Sequence, residues 1–397
     1  MRLQLVEGRG TRPSLPSGKA QRVPPSRGVR FAHSWLVALS LCWSSAIPVR
    51  AQEATGVWSG TVEGRANYYW ERSTRVVVPA VKARVVAPNG FRVGADYLVD
   101  AITSASIAQT GSDEDQLFTE FRHAFGLEVG KEFDFRVSQL DLNLNGTYST
   151  EDDYKSLIIG ARSILSLDEK NTKVRVGFSA MQDEILSNAN PAFEDNLFGL
   201  TASAGAEQVI NPQTLVSLGY QFGYLNGFLS NPYRLAPTVN VPLTPEANPR
   251  RRFRHTLATR FALFVPESDT AIHLMLSGYA DTWDILAITP ELRVYQQIAS
   301  DLLVRLRYRF YAQTKAWFQI TPPYPADWQG PVTNDPKLTE YTTHTFGISL
   351  DYRLSFLAGT FLDFARNSTI DITIDRYLST NAYGNGIIGT AGGRLEF

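Results

Sequence analysis

Arg305, Arg307 and Arg309 stand at alternate positions of the segment Leu302–Gln313, with apolar or aromatic residues between them. Successive side chains of a β-strand point to opposite faces, so the three guanidinium groups would share one face at a spacing of about 7 Å. Such a ladder is a stripe of positive charge, and acids facing it would create the transverse field that channels for polar solutes use. The alternative is that these arginines form ion pairs that only stabilise the fold.

Further charged residues alternate with apolar neighbours in other segments and belong to the same kind of face. They are Arg92, Asp96, Asp100, Glu120, Arg122, Arg175, Arg260 and Asp351. Asp96 and Asp100 share a face with Leu98 between them. We expect an arginine, rather than a bound ion, to be the partner of these two carboxylates. We predict that all eleven charged residues line a water-filled interior.

Residue types suited to catalysis or cofactor binding are scattered. His123, His255, His273 and His344 lie in different segments, without the spacing of a metal site. The GxSxG and HExxH motifs and the glycine-rich phosphate loop do not occur. Cys42 is the single cysteine, which excludes a disulfide framework and a cysteine zinc site. The sequence therefore predicts no enzymatic activity, no cofactor and no metal site.

The segments that position these charges alternate between apolar and polar residues from Trp58 onward. In Val216–Tyr224, apolar and aromatic residues take every second position, and small or polar residues fill the others. Period-two alternation indicates β-strands with one apolar and one polar face. The segments span about 11 to 15 residues, which exceeds the usual length of strands in soluble sheets and is enough to cross a membrane at a tilt.

Sixteen such segments follow one another, joined alternately by tight turns and by mostly longer loops. Their predicted ranges are 60–71, 74–86, 91–103, 117–129, 133–148, 154–167, 171–184, 196–209, 213–227, 252–265, 269–282, 285–298, 301–316, 339–352, 358–371 and 386–397. Short periplasmic turns and longer outer loops are typical of an outer-membrane β-barrel, and an even number of strands places both termini in the periplasm. The predicted fold is therefore all-β, a single transmembrane antiparallel barrel over residues 52–397. If one hairpin is wrong, the number of strands falls to fourteen.

Two local patterns refine this prediction. Within 133–148 the apolar residues change parity, which predicts a β-bulge near Ser138–Gln139. Aromatic residues gather near strand ends in Tyr68–Trp70, at Trp283 and in Trp317–Phe318, where an interfacial girdle would lie.

The predicted outer loops contain two kinds of unusual segment. Loops 228–248 and 318–338 are long and rich in proline, and loops of this length are often functional. We expect one of them to fold into the mouth of the barrel and set the pore size, although an exposed surface loop is the alternative. The acidic clusters Asp113–Asp115 and Glu151–Asp153 could bind divalent cations that bridge lipopolysaccharide, but we favour solvated loops.

The N-terminal region has the pattern of an export signal. Residues 1–33 contain seven basic residues and one acid, and the apolar stretch Trp35–Ile47 follows. These features predict a secretory signal peptide, residues 1–51, cleaved after Ala51. Its removal takes away eight basic residues, one acid and the cysteine, so the net charge changes from −1 to −8. An acidic exported chain is not expected to bind nucleic acid.

The C-terminal segment places Ile387, Ala391, Leu395 and Phe397 on one face. It resembles the last strand of bacterial outer-membrane proteins, which ends in an aromatic residue and is read by the barrel-assembly machinery. We assign Leu395 and Phe397 to this assembly signal on the basis of that resemblance.

Four segments resemble an uncharacterised bacterial outer-membrane β-barrel family, porin-like and known as a domain of unknown function. They are Val93–Ser106, Asn226–Arg234, Leu306–Gln313 and Thr345–Arg353. Because they are spread over most of the exported chain, the resemblance concerns the whole barrel. It implies a fold and a location in the outer membrane, but no substrate and no catalytic residues.

The function that these features favour is a passive, porin-like channel for small polar or ionic solutes. The alternative is a non-conducting barrel that acts as a scaffold or sheath for a periplasmic or surface partner. The expected partners are outer-membrane lipid and lipopolysaccharide, the barrel-assembly machinery and small solutes. A periplasmic protein partner and a homo-trimer are also compatible with the sequence.

Overall fold

The computed structural model describes residues 58–72, 74–104, 118–240 and 243–397. These residues contain sixteen long antiparallel strands, each hydrogen-bonded to two neighbours in one closed ring. The predicted sixteen-stranded barrel is therefore confirmed. The predicted signal peptide, residues 1–51, lies outside the described residues. Within the ranges given above, no helix is long and apolar enough to cross a membrane.

The strands follow one another around the ring in chain order. They are β1 (Ser59–Glu71), β2 (Thr74–Val86), β3 (Phe91–Ser104), β4 (Phe118–Asp134), β5 (Ser138–Thr150), β6 (Tyr154–Leu167), β7 (Thr172–Leu186), β8 (Glu194–Asn211), β9 (Thr214–Gly227), β12 (Arg251–Val265), β13 (Thr270–Asp281), β14 (Leu286–Ala299), β15 (Leu302–Gln313), β16 (Tyr341–Arg353), β17 (Thr369–Ser379) and β18 (Gly386–Glu396). Two short strands, β10 (Leu235–Ala236) and β11 (Thr244–Pro245), pair with each other outside the ring. β9 therefore pairs directly with β12.

The ring closes between β1 and β18. Their pairing runs from Thr61 opposite Glu396 to Glu71 opposite Gly386. The backbone of Phe397 extends this ladder, because Gly60 N donates to Phe397 O (2.7 Å) and Phe397 N donates to Gly60 O (3.0 Å). The start of β1 and the end of β18 thus lie at the same end of the barrel, called the terminal end below. The opposite end is called the loop end.

The outer surface of the barrel is apolar and its inner surface is polar. On β17, Ile370, Ile372 and Ile374 point outward and are about half exposed, while Asp371 and Asp375 alternate with them and point inward. The same alternation runs around the ring, so large apolar residues form a continuous exposed surface. In water such a surface would be strongly unfavourable, because burial of apolar area is the dominant favourable contribution to folding. Lipid is the medium that suits it.

The outer surface near the loop end carries a motif that repeats three times. In each copy, a tyrosine hydroxyl and a histidine Nδ1 on the adjacent strand are hydrogen-bonded at 2.7 to 3.0 Å. The pairs are Tyr97 with His123, Tyr220 with His255, and Tyr308 with His344. Such amphipathic aromatic rings suit the membrane interface. Three of the histidines that appear scattered in sequence thus share one environment.

The predicted aromatic girdle is only partly correct. Tyr68 and Trp70 are exposed on the outside, as expected, and Trp317 is also exposed. Trp283 and Phe318, by contrast, are 3% and 0% exposed, because loop residues cover them in a compact apolar cluster.

The strand predicted at 358–371 is wrong. Residues 354–368 instead form a long turn at the terminal end, with two short 3-10 helices at Ser355–Leu357 and Asp363–Ala365. The period-two alternation of isoleucine with polar residues begins only at Ile370, which explains why the strand lies at Thr369–Ser379. The loop that follows is correspondingly shorter than predicted.

The β-bulge predicted near Ser138–Gln139 is also wrong. β4 continues through the predicted turn at 130–132 and ends at Asp134, which pairs with Gln139 in regular register. The chain reverses at residues 135–137. The change of apolar parity within 133–148 therefore arises because that segment contains the end of one strand and the start of the next.

Candidate functional site

The arginine ladder lies on the inner face of β15. The carboxylates that pair with it come from β14 and β17. Arg307 forms ion pairs with Glu291 (Nε to Oε1, 3.0 Å) and with Asp375 (Nη1 to Oδ2, 3.1 Å). Glu291 is also ion-paired with Arg293 and lies 3.9 Å from Arg309 Nε. Glu291 and Asp375 are both buried.

The ladder carries more positive charge than these two carboxylates neutralise. Arg305 donates one long hydrogen bond to Thr373 Oγ1 (3.4 Å). The Nε atoms of Arg305 and Arg309 are buried and find no hydrogen-bond partner among the described residues. The β14–β15 wall therefore remains positive toward the interior.

The wall opposite the ladder is acidic. β5 lies eight strands from β15 in the ring of sixteen, so β4, β5 and β6 face the ladder across the barrel. On this side Arg122 is ion-paired with Asp100, and Arg92 Nη1 lies 2.6 Å from Asp141 Oδ2. Glu120 is fully buried near the loop end. Inward acids outnumber inward arginines here, which is the reverse of the β14–β15 wall.

The remaining residues of the predicted lining also lie on inner faces. Arg175 and Arg260 share Glu207, at 3.3 and 2.8 Å. Asp351 accepts a hydrogen bond from Ser349 Oγ (3.3 Å), and Asp96 has no ion pair within 4 Å among the described residues. All eleven charged residues thus belong to the inward parity of their strands. The arginine partner expected for Asp96 and Asp100 is present at Asp100, but for Asp96 this expectation is wrong among the described residues.

Sequence reasoning missed a repeated tyrosine motif on the inner face at the loop end. In three strands a tyrosine hydroxyl donates to the side chain two residues later. The pairs are Tyr69 with Glu71 (2.5 Å), Tyr279 with Asp281 (2.6 Å) and Tyr311 with Gln313 (2.5 Å). The signal was present in the sequence as Tyr-x-Glu, Tyr-x-Asp and Tyr-x-Gln at strand ends.

Two of these motifs anchor the loops that follow them. Asp281 Oδ1 accepts hydrogen bonds from the backbone N–H groups of Trp283 (2.8 Å) and Ile285 (3.2 Å). Gln313 Nε2 donates to the backbone carbonyls of Lys337 (2.9 Å) and Thr339 (2.7 Å). Tyr279 and Tyr311 therefore fix the side chains of Asp281 and Gln313. These side chains in turn hold the backbone of the loops at the rim.

Two long loops at the loop end, 228–250 and 314–340, pack against each other; they are called the mouth loops below. Backbone hydrogen bonds join them at Val239 N to Tyr324 O (3.0 Å) and Ala247 N to Val332 O (2.9 Å). Tyr324 and Phe318 have no solvent exposure. Both proline-rich segments singled out in the sequence therefore belong to one packed unit, with residues 241–242 outside the described residues.

A buried ion-pair network ties the mouth loops together. Arg234 of the first loop contacts Asp335 of the second (Nη1 to Oδ2, 2.8 Å) and Glu246 of its own loop (3.4 Å). Glu246 also accepts a hydrogen bond from Thr333 Oγ1. Burial lowers the pKa of Arg234, but the carboxylates of Asp335 and Glu246 outweigh this effect and raise it. The guanidinium therefore stays charged.

The mouth loops reach the rim of the barrel on two sides. Tyr233 donates to Asp153 in the β5–β6 turn and accepts from Asn188 N (2.9 Å). Asn381 in the β17–β18 loop donates to Pro336 O (2.6 Å). Four strands separate these two rim positions in one direction and eight in the other. The mouth loops thus contact the rim at positions that are far apart around the ring.

The acidic cluster Glu151–Asp153 is not the solvated loop that the sequence favours. Glu151 and Asp153 are 6% and 5% exposed, while the residue between them, Asp152, is exposed. Burial, followed by the charge of Glu120, raises the pKa of Glu151 to about 9. The other acidic cluster, Asp113–Asp115, lies outside the described residues.

A closed antiparallel ring of sixteen strands, apolar outside and charged inside, defines a bacterial outer-membrane β-barrel. The terminal end carries most of the tight turns, and in such barrels short turns are typical of the periplasmic end. The family model described as "Protein of unknown function (DUF3570)" matches residues 98–198 and 194–392. The chain belongs to this family. A search of curated proteins found no match.

Three solved structures have a similar chain path. OprD of Pseudomonas aeruginosa is 8% identical with a TM-score of 0.42, over 86% of this chain and 95% of that chain. A bacterial polysaccharide outer membrane secretin is 10% identical with a TM-score of 0.44, over 86% and 99%. The siderophore receptor PirA of P. aeruginosa is 10% identical with a TM-score of 0.40, over 82% of this chain. This chain spans 57% of the length of PirA.

Proposed function

We propose that the barrel is a passive channel for small polar or ionic solutes, restricted at its outer mouth by the mouth loops. The observation that carries this proposal is the placement of charge, with an arginine-rich wall on β14–β15 facing an acid-rich wall on β4–β6. Opposed charged walls produce a transverse field that orders water and attracts solutes with separated charges. A ring of sixteen strands is also too wide for side chains to fill.

The role assigned to the eleven charged residues follows from this proposal. The ion pairs of Arg122 with Asp100 and of Arg92 with Asp141 brace the acidic wall. The ladder at Arg305, Arg307 and Arg309 supplies the positive surface that a permeating anion would meet. Bracing and lining are compatible roles, since a charge held in a fixed position exerts a fixed field on the solute.

The direct test is planar-bilayer recording of the purified barrel. We expect discrete, stepwise conductance increases in a simple salt such as KCl. Folding is checked in parallel by heat-modifiable migration in SDS gels, so that an unfolded sample is not mistaken for a closed one. A heat-modifiable, folded barrel that inserts and shows no conductance steps at any voltage would contradict the channel.

A non-conducting scaffold is the second candidate, and two observations favour it. The mouth loops pack into one unit at the rim and are joined by a buried ion-pair network. In addition, the periplasmic turn at 354–368 exposes three phenylalanines, Phe356, Phe361 and Phe364, with Phe361 at 91% exposure. Exposed aromatic patches commonly mark interaction sites. The bilayer recording separates this scaffold from the channel.

For the C-terminus, we propose that Phe397 and Leu395 act as the assembly signal. The prediction is that Phe397→Ala lowers the amount of folded protein in the outer membrane about tenfold, since a tenfold change corresponds to the loss of about 1.4 kcal/mol of recognition. The ring of Phe397 is 61% exposed and its backbone already pairs with Gly60. The urea midpoint of the refolded barrel should therefore change little.

Phe361→Ala is the matched control, because it removes an exposed phenylalanine from the same end of the barrel. Its level in the outer membrane should equal that of the wild type. If Phe397→Ala instead lowers the urea midpoint in vitro as much as it lowers the level in cells, the ring stabilises the seam and is not a signal.

A further inference from the structure

Three buried carboxylates converge at the outer rim of the acidic wall. Glu120 lies at the start of β4, and Glu151 and Asp153 lie in the β5–β6 turn. One oxygen from each of the three lies within 4.8 Å of the other two. They are 0%, 6% and 5% exposed. Like charges at such distances in a medium of low dielectric repel strongly unless something positive lies among them.

Glu151 points to a missing positive group. Its side chain is 1% exposed, and both of its carboxylate oxygens are buried without a hydrogen-bond partner among the described residues. The nearest cationic atom is Arg122 Nε, at 4.0 Å from Glu151 Oε1, which is beyond hydrogen-bond distance. A buried carboxylate that accepts no hydrogen bond from the protein is rare and calls for an unseen partner.

The cation nearest to Glu151 is already engaged. Arg122 is ion-paired with Asp100, so its guanidinium is shared between that carboxylate and Glu151. Tyr233 donates a hydrogen bond to Asp153, and a neutral hydroxyl brings no charge.

We propose that Glu120, Glu151 and Asp153 bind one divalent cation of the calcium type. Carboxylate oxygens are the ligands that hard cations such as Ca²⁺ prefer, and Ca²⁺ tolerates an irregular set of six to eight oxygens. Zinc and copper favour histidine or cysteine, and the cluster contains neither. The site lies at the rim beside Tyr233, so a bound cation would also fix the turn on which the first mouth loop rests.

This site is independent of whether the barrel conducts, and its test uses binding. The full exported barrel is purified in detergent, treated with a chelator and titrated with Ca²⁺ by calorimetry. We expect one Ca²⁺ per chain in the wild type and at least a tenfold loss of affinity in Glu151→Gln. Glu184→Gln is the matched control, since Glu184 is a half-exposed glutamate paired with Lys155 on the neighbouring strands. Its affinity should match the wild type.

Thermal unfolding followed by tryptophan fluorescence supplies a second readout. Ligands that bind only the folded state raise its melting temperature, so Ca²⁺ should raise the Tm of the wild type and of Glu184→Gln. The Tm of Glu151→Gln should show no response to Ca²⁺. Asp153→Asn serves in its place if Glu151→Gln does not give a heat-modifiable barrel.

Two results would overturn the proposal. One is a wild type without saturable Ca²⁺ binding and without a Ca²⁺-dependent change in Tm, which would mean that the carboxylates share protons instead. The other is Glu151→Gln binding Ca²⁺ as tightly as the wild type, which would place the cation elsewhere.

Discussion

Replacing Arg234 with alanine is expected to raise the single-channel conductance several-fold, because this guanidinium holds the mouth loops together. It connects the first loop to Asp335 of the second and to Glu246 of its own loop. Arg234 is 5% exposed, as is Glu246. Removal of the arginine leaves the buried carboxylate of Glu246 without an ion-pair partner among the described residues. Separation of the loops then lets water hydrate this carboxylate.

The magnitude follows from the burial of the pair. Breaking a buried ion pair by removing one partner costs about 3–5 kcal/mol, which is comparable to the contribution of the four backbone hydrogen bonds that join the described parts of the two loops, at about 1 kcal/mol each. The barrel itself does not depend on this network, since its strands are paired around the whole ring. Heat-modifiable migration should therefore be retained in Arg234→Ala.

Arg250→Ala is the matched control for this experiment. Arg250 lies at the end of the same loop and forms a two-bonded ion pair with Asp195 at 2.7 Å, but its side chain is 59% exposed. Exposed pairs contribute about 0–1 kcal/mol, so its conductance should equal that of the wild type. Deletion of residues 230–248 should give the upper limit of the increase. Equal conductance in wild type, Arg234→Ala and the deletion would show that the mouth loops do not limit the pore.

The barrel could be predicted from the sequence because each strand carries its own signal. Alternation of apolar and polar residues is local, and in a membrane barrel both faces of the strand contribute to it. The strand predicted at 358–371 was misplaced because Phe361 and Phe364 give this segment apolar character without alternation. The apolar composition of this segment suggests a strand, but its apolar residues do not alternate with a period of two. Periodicity predicts the strand better than composition here.

The mouth could not be predicted in the same way, because its structure depends on contacts between distant segments. Arg234, Glu246 and Asp335 look like ordinary loop charges in sequence, and the network they form needs two loops about ninety residues apart to meet. The raised pKa of Glu151 likewise depends in part on Glu120, which lies in another strand. Trp283 and Phe318 have the spacing of a girdle but are buried by the second mouth loop. The motif of a tyrosine followed two residues later by Glu, Asp or Gln is local and could have been found.

The second large effect is expected at Arg307. Its replacement by glutamine should shift the anion-to-cation permeability ratio of the open channel several-fold toward cations. Arg307 is the ion-pair partner of both Glu291 and Asp375. Glu291 keeps Arg293, whereas Asp375 has no other ion pair among the described residues. The substitution therefore removes one positive charge and leaves one carboxylate unneutralised on the same patch of wall, so both changes act in the same direction on the local field.

Arg376→Gln separates this field effect from a change in total charge. Arg376 follows Asp375 directly on β17, but its side chain is exposed on the outer face. Both variants lose one positive charge at a similar position along the barrel axis. Arg307→Gln removes it from the inner face, and Arg376→Gln removes it from the outer face. The reversal potential in a salt gradient should therefore move for Arg307→Gln and stay near the wild-type value for Arg376→Gln. If both variants keep the wild-type reversal potential, the ladder only braces the wall. A charge that a permeating ion meets cannot be removed without changing the selectivity of the channel.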